Sequence, residues 1–158
     1  MRNAGFAVLA ALNMAACSSI TAPDAVQFTS AGASISINVP LNAIAVRGLT
    51  LNFKGTASVE SLQIMHGDSF TSTTIAGPVA PSDESMVMFH DTFVLSPGEH
   101  TIEVRAYGQN PPRANGTLVE MTMHTDPRAW AITDTVTETR PAIAGGKLTL
   151  TVPIRNTR

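Results

Sequence analysis

Short runs in which apolar and polar residues alternate recur along most of this chain. In the clearest run, apolar residues occupy the even-numbered positions Ile102, Val104 and Ala106. Charged residues occupy the positions between them, Glu103 and Arg105. This period of two is typical of a strand with one buried face, because successive side chains in a strand point to opposite sides. The pattern therefore predicts a protein built from β-strands.

The alternation returns at intervals of about ten residues. Further strands are predicted at Ser34–Val39, Leu49–Lys54, Leu62–Ile64, Met86–Phe93, Val119–Met123 and Leu148–Ile154. Ten prolines and frequent Thr, Val, Ser and Gly favour strands and tight turns over helices. Seven to nine short strands predict an all-β fold, an antiparallel immunoglobulin-like sandwich of two sheets.

The last part of the chain predicts an extra C-terminal hairpin at about residues 129–155. Trp130 and Ile132 precede a Gly145-Gly146 turn, and the apolar positions of Leu148–Ile154 follow it. Because a lone two-stranded ribbon is marginal in water, we expect this hairpin to pair with the strand at Ser34–Val39.

The first seventeen residues have the composition of an export signal. A short positive end, Met1–Asn3, is followed by the mainly apolar Ala4–Met14, and the small pair Ala15-Ala16 precedes Cys17. The apolar run is shorter than the roughly 20 residues that span a bilayer. Residues 1–16 are therefore predicted to be a secretory signal peptide.

The segment Met14-Ala15-Ala16-Cys17 resembles a bacterial lipobox, with Met14 in place of the usual Leu. The resemblance implies that Cys17 is lipidated and becomes the mature N-terminus. Cys17 is the chain's one cysteine, so it cannot form an intramolecular disulfide. Cleavage by an ordinary signal peptidase is the alternative. In the family that this segment resembles, the residues after the cysteine influence sorting, and Ser18 and Ser19, with no Asp at the second position, imply the outer membrane.

Downstream of Cys17 we predict a flexible tether at 17–32 and a single domain at 33–158. The stretch Phe93–Ala106, with Pro97-Gly98 at its turn, resembles the penultimate hairpin of bacterial immunoglobulin-like and fibronectin-type modules. The resemblance implies an immunoglobulin-like core at about 43–125. The paired cysteines and mid-core tryptophan of antibody-type domains are lacking.

Charge and motifs narrow the possible functions. Charged residues make up 14% of the chain and the formal net charge is −2, so no basic footprint for nucleic acid is present. The sequence contains no phosphate-binding glycine loop, no His-Glu-x-x-His and no Gly-x-Ser-x-Gly. We therefore predict a protein that is not an enzyme and needs no cofactor. The residues that keep acid–base chemistry open are His66, His90, His100 and His124, with Asp68 and Asp91 nearby.

Two sharper site hypotheses remain open. Thioether and imidazole ligands suit Cu(I), and the candidates for such a site are Met86, Met88, His90, Met121, Met123 and His124. The alternative is that the methionines fill a core with few aromatic residues. Tyr107 and Trp130 are the candidates for an aromatic platform that binds carbohydrate, although Trp130 can equally cap the core.

These observations predict an exported, lipid-anchored protein of the bacterial outer membrane, facing the periplasm or the cell surface. It would act as a non-catalytic binding or scaffolding module. A periplasmic Cu(I)-binding lipoprotein and a carbohydrate-binding surface module are the alternatives. Its expected partners are the membrane, through the lipid, and an envelope protein or polysaccharide contacted by loops at one end of the domain.

Overall fold

The computed structural model describes residues 24–54, 59–67, 71–82, 86–108, 117–124 and 130–156. Regular structure within these ranges consists of eleven strands, which confirms the all-β prediction. The strands are β1 (Val26–Ala31), β2 (Ser34–Val39), β3 (Ile44–Lys54), β4 (Ser61–His66), β5 (Thr73–Val79), β6 (Met86–Leu95), β7 (Gly98–Gly108), β8 (Leu118–His124), β9 (Ala131–Asp134), β10 (Ile143–Ala144) and β11 (Lys147–Asn156). No helix in the described ranges is long and apolar enough to cross a membrane.

Burial explains why these segments are strands. In β2, Ile35, Ile37 and Val39 are buried, and Ser36 and Asn38 between them are exposed. Each buried aliphatic side chain contributes about 1.5–3 kcal/mol relative to exposure, and only an extended chain puts all three on one side. All seven predicted runs lie within strands of the structure.

Hydrogen bonds join the strands into two groups that share β11. In the first group, β10, β1, β2, β7, β4 and β5 pair in that order. In the second, β3 pairs with β6 on one side and with β8 and β9 on the other. Strand β11 pairs with β8 over Lys147–Pro153 and then with β7 from Ile154. It therefore connects the two groups.

Two of these pairings are parallel, β1 with β10 and β11 with β7. The described sheet is mixed, so the prediction of a purely antiparallel arrangement is wrong for these pairs. Alternation identifies a strand and its buried face but carries no information about its direction relative to a distant partner.

Apolar side chains from both groups of strands form one core cluster. Its largest fully buried members include Trp130, Phe89, Ile35, Leu51 and Met121. The ring of Trp130 meets that of Phe28 edge to face, with centroids 5.1 Å apart. Because both groups contribute, neither can bury its apolar face without the other.

The folded domain begins earlier than the sequence predicted. Residues 26–31 form β1, so the prediction of a flexible tether through residue 32 is wrong for this stretch. Val26 and Phe28 are buried while Gln27 and Thr29 are exposed, which is the same alternation seen elsewhere. Only the residues before Asp24 lie outside the described part at this end.

Both predicted hairpins are wrong in their pairing. Strand β9 pairs with β3, β10 pairs with β1, and β11 pairs with β8 and β7, so within the described residues 130–156 no two strands pair with each other and none pairs with β2. Strands β6 and β7 flank the Pro97-Gly98 turn but belong to different groups. A turn motif predicts a change of direction, and it does not determine whether the next strand stays in the same sheet.

Candidate functional site

The outer face of β1, β2 and β7 carries a groove of about 290 Å³, which we call the polar groove. Its lining residues are Gln27, Thr29, Ser36, Ile37, Asn38, Glu99, His100 and Thr101. The register of the three strands aligns these residues in rows. Ser36 lies between Thr29 on β1 and Thr101 on β7, and Asn38 lies between Gln27 and Glu99 in the same way. The polar residues that alternate with the core therefore meet on one surface.

The chemistry of the polar groove is mainly that of neutral hydrogen-bonding groups. Gln27 and Asn38 carry amides, and Ser36 and Thr101 carry hydroxyls, so each can both donate and accept hydrogen bonds. Glu99 adds a carboxylate. Such a surface is suited to a hydroxyl-rich or amide-rich ligand.

Two histidines that are 34 positions apart in sequence form a pair. The Nε2 atom of His66, at the end of β4, lies 3.0 Å from Nδ1 of His100 on β7. The other ring nitrogen of His100, Nε2, lies 2.7 Å from the Ser96 carbonyl oxygen. A carbonyl only accepts, so Nε2 of His100 donates, and in a neutral ring its Nδ1 then accepts from Nε2 of His66. The geometry thus assigns both tautomers.

The spacing of His66 and His100 in the sequence does not predict this pair. His66 lies opposite Ile102 in the antiparallel β4–β7 register, so His100 is its diagonal neighbour on the same face. Finding the pair from the sequence would have required the β4–β7 register.

An ionic cluster occupies the outer face of β7. One carboxylate oxygen of Glu103 accepts from Arg105 at 3.2 Å, and the other accepts from Arg155 on β11 at 2.8 Å. Arg105 also donates to the Ser72 hydroxyl at 3.0 Å. The hydrogen bond to Glu103 raises the pKa of the Arg105 guanidinium despite an opposing effect of burial. The cluster consequently ties β11, β7 and the start of β5 together.

Asp134 organises the loops beyond β2 and β9. Its Oδ1 accepts the backbone N–H groups of Val136 and Thr137 at 2.8 and 2.9 Å, and its Oδ2 accepts the Asn42 amide at 3.0 Å. The Thr137 N–H, followed by the Asn42 amide, lowers the pKa of the Asp134 carboxyl. Both loops are therefore held by one carboxylate.

Three of the copper candidates share the outer face of β6. Met86 is half-buried, Met88 is 37% exposed and His90 is exposed. A register shift opposite Gly48 places His90 in a bulge of the β3–β6 pair. The structure thus leaves thioether and imidazole groups accessible along one edge strand.

The other three candidates do not form such a set. Met121 and Met123 are both 0% exposed and belong to the core, whereas His124 is exposed. The side chains of the two methionines therefore lie on the core face of β8, where they cannot contact a ligand at the surface. They pack as hydrophobic residues, as the alternative interpretation expected.

The two candidates for a carbohydrate platform lie in different environments. Trp130 is 0% exposed, so it cannot stack on a sugar at the surface. Its backbone carbonyl accepts from Arg140 at 2.7 Å. Tyr107 is half-buried on the outer face of β7, next to the ionic cluster. The prediction that Trp130 contributes to a carbohydrate-binding platform is therefore wrong.

The remaining site candidates are separated. Asp91 accepts the Gly77 backbone N–H at 3.0 Å, and neither it nor His90 lines the polar groove. In the ranges that the structure describes, no three His, Cys, Asp or Glu side chains converge in a way that could hold a metal ion. Cys17 and Asp68 lie outside the described residues.

Comparison with known proteins adds no family assignment: no family model matches this sequence, and no curated protein shows significant similarity to it.

Proposed function

We propose that this chain is a lipid-anchored protein of the bacterial envelope that acts as a non-catalytic binding or scaffolding module. The observation that carries the proposal is the lone Cys17 directly after a segment with signal-peptide character. A lone thiol in an exported chain has no internal disulfide partner, and lipidation gives it a use.

The fold supports the same proposal. We infer an immunoglobulin-like relationship, because two groups of strands enclose one core and β6 and β7 lie in different groups. The parallel pairs β1–β10 and β7–β11 are the departures from the antiparallel form of such sandwiches. A rigid β-framework presents surface groups at fixed positions, as a binding module requires.

The polar groove is the binding surface in this proposal. Its amide and hydroxyl groups favour an envelope polysaccharide or a polar peptide segment over an apolar ligand. A bulky charge in the groove should block binding. We therefore expect Ser36→Arg to lose the partner in pull-downs from detergent-solubilised envelopes. Thr149→Arg, at an exposed position on β11, should keep it.

The anchor is tested separately. Mass spectrometry of the mature N-terminal peptide should show a lipid-sized increment on Cys17, and Cys17→Ser should leave the membrane fraction or accumulate as precursor. An unmodified Cys17 in protein purified from membranes would overturn the anchor.

A Cu(I)-binding function is the second candidate, and the shared outer face of Met86, Met88 and His90 favours it. Soft thioether ligands suit Cu(I), and imidazole also binds copper. The core position of Met121 and Met123 confines this candidate to β6.

A further inference from the structure

The chain enters the folded domain at one defined end. The Val26 N–H donates to the Ala142 carbonyl at 2.8 Å, and Val26 pairs with Ile143. Gln27 pairs with Asn38, so the turn after β2 lies beside the start of β1. Residues 24–26, 39–43 and 134–142 therefore meet at this end, which we call the entry end.

Two large hydrophobic side chains are exposed at the entry end. Leu41 is 59% exposed and Val136 is 71% exposed. Their loops are bonded to each other, since the Thr135 N–H donates to the Ala43 carbonyl at 2.9 Å. Asp134 fixes the same two loops through Asn42 and Val136, as described above. The two aliphatic groups are thus held on a hydrogen-bonded platform.

The length of chain before β1 limits the distance between the entry end and a lipid on Cys17. Val26 follows Cys17 by nine positions. Nine residues reach about 30 Å when fully extended and about 17 Å as a flexible coil. The eleven residues of β7 alone span roughly 35 Å along the domain. With a lipid on Cys17, the entry end is therefore the part of the domain that the chain holds nearest the membrane.

We propose that the entry end is a membrane-facing surface on which Leu41 and Val136 enter the lipid interface. The proposal rests on the lipid anchor proposed above. The side chains orient the domain, while the lipid supplies the attachment. Asp24, Asp134 and Glu138 carry negative charge at this end and Arg140 carries a positive charge, so its net charge is negative and a zwitterionic lipid surface suits it better than an anionic one.

The orientation can be measured on full-length lipoprotein in phosphatidylcholine vesicles. Because a lipidated Cys17 is not a free thiol, Leu41→Cys and Val136→Cys each introduce one site for an environment-sensitive fluorophore. Leu118→Cys is the matched control, since Leu118 is 64% exposed and lies at the start of β8, away from the entry end. We expect blue-shifted emission and quenching by spin-labelled lipid at 41 and 136, and quenching by aqueous iodide at 118.

Two outcomes separate this proposal from the anchor. Labels at 41 and 136 that are as open to iodide as the label at 118, on protein with a lipidated Cys17, would overturn the orientation alone. A Cys17 in the unsubstituted protein that reacts with maleimide would overturn the anchor on which the orientation depends.

Discussion

The Nε2 atom of His66 lies 3.0 Å from Nδ1 of His100, and the far nitrogen of His100 donates to the Ser96 carbonyl. This relay links the end of β4 to the turn between β6 and β7. Both histidines lie on strands of the first group, β4 and β7, and Ser96 directly follows β6 of the second group. The imidazoles therefore hold together the end of the domain at which the chain changes sheets.

The relay predicts specific tautomers. At a pH where both rings are neutral, nitrogen NMR shifts should place the proton of His100 on Nε2 and that of His66 on Nε2. His66→Gln should keep a donor toward His100, whereas His66→Leu should remove it and cost about 1 kcal/mol in chemical denaturation. The exposed His90 is the control, and His90→Leu should change stability little. A His100 ring protonated on Nδ1 would contradict the relay.

The second prediction contrasts adjacent residues on β7. Val104 is 1% exposed in the core, and Glu103 lies on the outer face between two arginines. Val104→Asp should cost about 4 kcal/mol or more, because it buries an unpaired charge. Glu103→Thr loses ion pairs that are partly screened by solvent, so it should cost about 1 kcal/mol. Equal melting temperatures for the two variants would contradict the assigned faces.

Alternation was sufficient to predict seven of the eleven described strands and their buried faces. The side chains of Ile102, Val104 and Ala106 are buried, as the alternation predicted. Trp130 is buried in the core, which was the alternative to an exposed carbohydrate platform. The same signal was present at Val26 and Phe28, and it was missed because the surrounding Ser, Thr and Ala suggested a tether.

Pairing between strands was far less predictable. The polar groove depends on β2 lying between β1 and β7, and the histidine pair depends on β7 lying between β2 and β4. These contacts join residues distant in sequence, and the alternation in each strand is compatible with many partners. The exposed face of each strand could thus be predicted, but not which exposed faces meet.

The third prediction follows from the lowered pKa of Asp134. Its carboxylate accepts the Thr137 N–H and the Asn42 amide only in the folded state, so ionised Asp134 favours folding. This contribution is present above the pKa of an unfolded Asp, about 3.9, and is lost as the pH falls through the lower folded value.

Asp134→Asn should therefore flatten the acid side of the stability profile. In urea unfolding between about pH 5 and pH 3, the free energy of unfolding should fall less for the variant than for the unsubstituted protein. Parallel profiles would show that Asp134 has the same pKa in both states.

The last prediction concerns the methionines of β6. If Met86, Met88 and His90 bind Cu(I), the metal should stabilise the folded state, by about 2.7 kcal/mol at a hundredfold excess over the dissociation constant. Met88→Leu keeps the volume of the side chain but removes the thioether, so it should abolish the Cu(I)-dependent rise in melting temperature.

Met121→Leu is the matched control, because Met121 is 0% exposed and its sulfur cannot reach a surface ion. It should lower the starting stability by less than about 1.5 kcal/mol and leave the Cu(I) shift intact. No shift under anaerobic conditions with Cu(I) in excess, or an equal loss in both variants, would remove copper binding on β6 as a function of this protein.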